Sequence, residues 1–556
     1  MEARALKRPI FADLVGGISI TGLMLPEGIA YSAIAGLPAS FGVSAAVIGP
    51  LGYAIIGRSR LAVVTATSGA AALLAAGIAN AAIPGVPRVD CALALTLLVG
   101  IFFLFGAALR LSALTSFVSR AVLQGFGLGL AITITIRQLP ILLGIAATQS
   151  APLQILGSIL LQFRKVHMPS ALLGCAALVF LSISRRLGFV AAGLILTLGS
   201  VVAMHFGPAG HFGIATAGPL GLELSAPHVP AMAVRDWGRL AQLAFPIALV
   251  LLAESWATIR SLAATRGDPI SPEREIAALG LANIASALWH GLPVGAGFSI
   301  GNANAQAGTA SRLGAGLAAL AVAIAAITAA NWIALIPEPV LAAIVISALA
   351  HALSPRPIYS LFRLNRDQWI ALAAAVGVLL LGLVNGLLLA VALSVLGLLR
   401  RLAYPDLSVL GRTGDHDFVD CAAHPDARQI PGLLVIRPNA PLFFGNAETV
   451  LAEIGRRALD GQASTIVLSL EETNDLDSSA LEAICDFRQA MTAQNRVLIL
   501  ARVHDRVRAI LERGGLSDLA EKSTFSVDDA VRMAPPPPST DGGDAGVTAD
   551  RANPSH

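Results

Sequence analysis

Long apolar runs separated by short polar breaks fill the chain from about Leu14 to Ala403. At roughly twenty residues per membrane crossing, this stretch accommodates roughly twelve to fourteen helices, two of them half-length. The runs predict helices over 91–109, 121–136, 170–184, 188–206, 240–259, 275–289, 314–330 and 335–353. A further run over 369–399 is too long for one crossing, and Asn385-Gly386 near its middle predicts a turn there.

Two places interrupt this pattern in matching ways. Val63-Val64-Thr65-Ala66-Thr67-Ser68-Gly69 and Gly295-Ala296-Gly297-Phe298-Ser299-Ile300-Gly301-Asn302-Ala303-Asn304 are small, polar and glycine-bearing, and each follows an apolar run. Each also comes about forty residues after a lone carboxylate within apolar sequence, Glu27 and Glu254 respectively. Interrupted segments at corresponding positions of two halves point to the binding site of a membrane transporter.

After Tyr404-Pro405 the pattern changes to that of a soluble α/β domain. Leu433–Ile436, Ile466–Leu468 and Val497–Ala501 read as buried strands. Helices are predicted over Asn446–Leu459, from about Ser479, and over Asp505–Arg513, the last ending at Gly514-Gly515. From Pro535 a Pro-rich and then Gly/Asp/Ser-rich tail holds too few apolar residues to fold, so disorder is expected over 535–556.

Charge and composition sharpen this division. Hydrophobic residues make up 55% and charged residues 13% of the chain, against about 25% charged in soluble domains. Mean hydropathy is +0.73. The net charge of +3 gives no case for a nucleic-acid partner, because Arg and Lys sit mostly at the ends of apolar runs. Basic clusters at the N-terminus, Arg58/Arg60, Arg110, Arg185/Arg186, Arg260/Arg266, Arg312, Arg356–Arg366 and Arg400/Arg401 all fall after even-numbered helices in a fourteen-helix count. The positive-inside rule makes that side cytoplasmic, together with both termini. The loop over about 207–238, with His205, His211 and His228 at or near its edges, then lies outside; their spacing does not suit a metal site. The basic start leads into an apolar run too long for a cleaved signal peptide. Cys91, Cys175, Cys421 and Cys485 are spaced neither as a disulfide framework nor as a metal site.

Several ordered motifs carry a family resemblance. Leu25-Pro26-Glu27-Gly28-Ile29-Ala30-Tyr31-Ser32-Ala33-Ile34-Ala35-Gly36-Leu37-Pro38 resembles the first-helix signature of the SulP (sulfate permease) anion transporters. Leu279–Ile284, Asn304–Gly308 and Pro339–Ile346 are similar to later signatures of that family. Pro441–Glu448 and Leu476–Ala480 resemble its cytoplasmic STAS domain. The resemblance implies an α-helical polytopic membrane protein with about 14 transmembrane segments in two inverted seven-helix repeats, one forming core and gate with the other. It also implies an elevator-like motion and a homodimer in the inner membrane. The expected boundaries are 1–404 for the transport domain (repeats at about 10–206 and 238–404) and 405–534 for the STAS domain.

A small anion held at mid-membrane needs donors and positive potential, and helix starts supply both. The third and tenth helices, beginning near Thr67 and Ser299–Asn302, would face each other across the bilayer centre. Thr67, Ser68, Ser299 and Asn302 offer neutral donors there. Gly69, Gly297 and Gly301 let backbone approach a ligand, although small residues also suit plain helix packing. Tyr31, one turn after Glu27, lines the same cavity or packs beside it. Many members of the family carry arginine directly after the serine of the tenth helix, where this chain has Ile300, and Thr65-Ala66 replaces a frequent Gly-Pro. The expected fixed positive charge is therefore missing, and the substrate of arginine-bearing relatives does not carry over.

Glu27 and Glu254 are the candidates for coupling. An ionised carboxylate facing lipid is costly, so each is expected to face a cavity and bind a co-transported H+, or Na+. Pro26 beside Glu27 loosens the first helix locally. Asn283 and Trp289 are expected to pack and to anchor at the interface. Asp477-Ser478-Ser479 lies where some soluble STAS relatives carry a phosphorylated serine, but Ser479 and Glu482 also fit a capping box at a helix start, the preferred reading.

The pattern predicts a secondary transporter rather than an enzyme, carrying sulfate, bicarbonate or a small dicarboxylate such as fumarate by proton symport. Alternatives are Na+-coupled bicarbonate uptake, an anion channel or exchanger, and a membrane-tethered scaffold whose STAS domain binds a cytoplasmic protein. A scaffold needs neither paired broken helices nor intramembrane carboxylates.

Overall fold

The computed structural model describes residues 2–535 except 82, 111–118, 146–150, 188, 190–191, 208–211, 221–226, 351 and 366, with side chains from residue 11 onward apart from that of 384. Residues 536–556 of the expected disordered tail, and His211, lie outside the described residues. The chain divides between Ser394 and Val395 into two compact units.

In the first unit, α1 (Glu2–Ala35) and α2 (Ala39–Ala54) lead to a short strand β1 (Val64–Ala66) and then α3 (Ser68–Ala81). There follow α4 (Arg88–Ala108), α5 (Arg120–Leu143), α6 (Pro152–Leu161), α7 (Met168–Arg186) and α8 (Ala192–Phe206). The second half repeats the order: α9 (Val234–Arg266), α10 (Pro272–Leu288), strand β2 (Val294–Ala296) and α11 (Phe298–Gln306). It continues with α12 (Leu313–Thr328), α13 (Ala330–Ile333), α14 (Glu338–Leu349), α15 (Arg356–Leu364), α16 (Gln368–Leu381) and α17 (Leu383–Ala403), within which the division falls. With the short α6, α13 and α15 set aside, the two halves match helix for helix.

Their packing is reciprocal, as an inverted repeat requires. α1 packs on α12 as α9 packs on α4; α2 meets α12 as α10 meets α4; α1 meets α11 as α9 meets α3. The close crossing of α1 and α2 depends on glycine, because a Cβ at Gly42 would overlap the Gly28 carbonyl oxygen. Asp13 on α1 holds the turn before α12, accepting from Ala310 N at 2.7 Å and Ser311 N at 2.8 Å. At the opposite end of the fold's pairing, buried Glu275 of α10 accepts from the Tyr53 hydroxyl of α2 and from Arg58 N at 2.9 Å. These bonds satisfy buried carboxylates that would otherwise be costly in hydrocarbon.

Among the described residues, six helices are long and apolar enough to cross a membrane on their own, α4 and α9 included. Large apolar side chains such as Phe105, Leu161, Leu320 and Leu380 stand exposed around the unit. Such a coat suits lipid and not water. The turn expected at Asn385-Gly386 lies instead at Gly382, whose φ of +84° separates α16 from α17. Gly386 sits inside α17, where a Cβ would strike the backbone of Gly377 and Val378; the residue serves a tight helix crossing rather than a turn.

The second unit is a five-stranded mixed sheet. β3 (Leu407–Thr413) and β4 (Asp417–Asp420) form an antiparallel edge that the apolar pattern does not announce. β5 (Leu433–Pro438), β6 (Thr465–Ser469) and β7 (Val497–Ala501) run parallel, giving the order β4-β3-β5-β6-β7. Between and after them come α18 (Ala447–Asp460), α19 (Ser478–Ala493), α20 (Asp505–Arg513), α21 (Ser517–Glu521) and α22 (Val527–Arg532). Strand alternation splits the core. Leu434, Ile436, Ile466, Leu468 and Leu500 pack with α18–α21 residues, whereas Val435, Val467 and Ile499 pack with Val527 and Ala530 of α22. The start of α19 corrects the capping-box reading. Asp477 is the N-cap, accepting from Ala480 N at 2.9 Å and from Phe444 N at 2.7 Å, and Ser479 lies within the helix. A carboxylate that also ties down the neighbouring loop outcompetes a serine hydroxyl two residues on.

Candidate functional site

β1 and β2 place the site. They pair antiparallel with Val64 opposite Ala296, Thr65 opposite Gly295 and Ala66 opposite Val294. Each strand turns directly into a helix too short to cross a ~30 Å hydrocarbon core: α3 spans about 21 Å and α11 about 13.5 Å. Broken segments of this kind occur where irregular backbone is enclosed by protein. The two helix tips adjoin, a Cβ on Gly297 falling 3.8 Å from Thr67 Cγ2. Thr67 caps α3, its hydroxyl accepting from Ala70 N at 3.1 Å. No side chain caps α11, whose N-cap is Gly297. The N–H groups and dipole at a helix start favour a negative charge beside such a tip.

Asn283 on α10 fixes β2. Its side-chain amide donates to Leu279 O at 2.8 Å and Val294 O at 2.7 Å, and its oxygen accepts from Val294 N at 2.9 Å. This fully buried residue is thus a hydrogen-bonding anchor rather than packing material. Ser255 on α9 accepts from Ala296 N at 3.1 Å, and Asn304 ties α11 to Leu61 O at 3.0 Å.

The tips open into a cavity of about 450 Å³. Its walls include Glu27, Tyr31, Thr67, Ser68, Glu254, Ser299, Ile300 and Asn302, so eight of the residues expected from sequence come together. Gly69 and Gly301 do not line it. They are packing positions: a Cβ on Gly69 would lie 3.1 Å from Glu254 Oε2, and one on Gly301 2.6 Å from Leu262 Cδ1. Gly69 thereby lets Glu254 of α9 approach α3. Tyr31 donates to Glu27 Oε2 at 3.2 Å and also meets the Ser68 hydroxyl. Both carboxylates therefore stand beside the α3 tip, Glu27 only 3% exposed.

Sequence reasoning missed the facing wall. Arg185 and Phe189, with Ser347 and Ala352 on or after α14, line the cavity, as does Gln306 at the end of α11. Arg185 Nη2 donates to Ser347 Oγ at 2.7 Å. In the sequence Arg185 belongs to a basic pair whose place at a helix end already had a topological explanation, and no local signal marks it as cavity-facing.

Adjoining broken-helix tips around a cavity that holds two carboxylates, within an inverted helical repeat, define a multi-pass membrane transporter. The chain belongs to the Sulfate permease family, whose pattern matches residues 10–375, and a STAS domain pattern matches 424–530. A Mycobacterium tuberculosis protein named Probable sulfate transporter MT1781 is 32% identical over 525 residues, covering 92% of each chain. Sulfate transporter 4.1, chloroplastic, of Arabidopsis thaliana is 26% identical over 556 residues, covering 94% of this chain and 79% of its own. Among solved structures, the murine anion transporter Slc26a9 in its inward-facing state superposes with a TM-score of 0.85 at 19% identity, covering 94% of this chain and 91% of that one. The transmembrane domain of the cyanobacterial bicarbonate transporter BicA gives 0.61 at 21% identity, covering 68% and 97%. These two likenesses establish the fold.

Proposed function

We propose that the chain is a secondary active transporter of a small oxyanion (sulfate, bicarbonate or a dicarboxylate such as fumarate), driven by proton symport. The observation that carries this reading is the placing of Glu27 and Glu254 beside the two helix tips. An anion bound at the tips and a proton on a neighbouring carboxylate would cross together with reduced net charge, which lowers the electrostatic cost of the crossing. The tips, held as one by β1 and β2, move in an elevator-like manner against the α5, α7 and α14 wall. The protein works as a homodimer in the inner membrane with both termini in the cytoplasm, and its STAS domain serves assembly or regulation through a cytoplasmic partner.

A second reading, Na+-coupled bicarbonate uptake, is favoured by the carboxylate and hydroxyl oxygens of Glu27, Tyr31 and Ser68, which are hard ligands suited to such a cation. Uptake of labelled sulfate, bicarbonate and fumarate into proteoliposomes, under separately imposed proton and Na+ gradients, decides between them. Uphill accumulation driven by an inward proton gradient is expected. Accumulation that needs Na+ at constant pH selects the second reading, and strictly downhill flux removes both.

A further inference from the structure

An anion site with two carboxylates on one wall needs a cation, and position 300 supplies none. Arg185 is the one Arg or Lys among the described residues that line the cavity. It lies in the last turn of α7, on a different element from the broken helices, and is itself exposed. Among the described residues no carboxylate lies within ion-pair distance of it. The partner it does have is neutral: the Ser347 hydroxyl on α14, at 2.7 Å. That bond engages one of the five N–H donors of the guanidinium and leaves its charge uncompensated. A planar fork of this kind matches the paired oxygens of sulfate or a carboxylate.

We propose that Arg185, positioned by Ser347, is the cationic element of the anion site and does the work of the arginine that the tenth membrane segment lacks. It draws the oxyanion into the cavity and holds it against the tips of α3 and α11. The assignment rests on the anion-transport reading above and adds the residue that sets affinity and charge preference. Among the described residues that line the cavity, removing the guanidinium leaves no Arg or Lys.

The test is uptake kinetics in proteoliposomes with labelled sulfate, bicarbonate and fumarate, for wild type, Arg185→Gln, Arg185→Lys, Ser347→Ala and Arg186→Gln. Arg185→Gln is expected to raise KM about tenfold or more, the size of effect one lost charge-assisted contact produces, with a smaller fall in the maximal rate. The increase should be larger for divalent than for monovalent anions. Arg185→Lys should recover part of the affinity, Ser347→Ala should raise KM less than Arg185→Gln does, and Arg186→Gln should leave KM unchanged. Raised ionic strength should weaken wild type more than Arg185→Gln. An unchanged KM in Arg185→Gln, or an equal shift in Arg186→Gln, would overturn the assignment. If Arg185→Gln fails to fold, Arg185→Lys and Ser347→Ala decide by the same criteria. If wild type carries none of the three anions, the transport reading fails on its own. Sulfate-dependent thermal stabilisation of the purified protein then still tests Arg185, with loss in Arg185→Gln supporting it and retention refuting it.

Discussion

Replacing Asn283 would release β2 from α10 without touching the cavity wall. The Val294 N–H and C=O are both buried and both bonded to the Asn283 side chain, at 2.9 and 2.7 Å. Orphaning a buried backbone group costs about 1–3 kcal/mol, so losing both amounts to about 2–6 kcal/mol. Asn283→Leu keeps the volume and removes the bonds; Asn283→Ala adds a cavity and should be worse. Asn283→Asp retains the acceptor for Val294 N but loses the donor to Val294 O, and adds a buried charge. Denaturant titration in mixed micelles would read the stability change, and uptake kinetics would read the displacement of the α11 tip. The expected order of stability is wild type, then Leu, then Ala, with anion affinity falling in step. A Leu variant with wild-type midpoint and wild-type KM would refute the idea that this amide fixes the tip.

Glu27→Gln and Glu254→Gln should each flatten the pH dependence of uptake while leaving the protein folded and monodisperse; two unaltered pH profiles would remove proton coupling. Gly42→Ala should destabilise the first unit by about 1–3 kcal/mol or more, because the new methyl must displace backbone of α1 rather than a flexible side chain; an unchanged unfolding midpoint would contradict it. In the second unit, hydrogen bonds from Arg456 and Arg457 hold the Glu453 carboxyl down at about 2 from the usual 4.5. With the folded value depressed, its stabilising contribution is fully present above pH 4.5 and disappears as the pH falls toward 2. Hydrogen-exchange protection of α18 should therefore differ between wild type and Glu453→Gln at pH 6 and converge near pH 2, the effect being small because the group is exposed. An equal difference at both pH values would show that Glu453 acts by packing.

The helices of the first unit were legible because apolar runs of crossing length have few alternatives, and the parallel strands β5 to β7 because each is a short buried run between turn residues. The broken segments could be placed to within a residue or so, since the same small polar break recurs at corresponding positions of the two halves. What could not be read was long-range partnership. Nothing near Asn283 says that its amide faces Val294, and nothing near Arg185 says that Ser347 stands opposite. The packing of Gly69 and Gly301 was hidden for the same reason: a glycine that admits a ligand and one that admits a neighbouring helix look alike in sequence. β3 and β4 escaped notice because a half-exposed edge hairpin carries little apolar signal.

The pairing of β1 with β2 also dictates an order of assembly. During synthesis the first strand emerges long before its partner, and in lipid its backbone groups have no water to fall back on. The early half must therefore shelter an unfinished edge, and the pocket exists only once the later half has threaded in beside it. A transporter made this way cannot be functionally bisected without giving each fragment a means of finding the other.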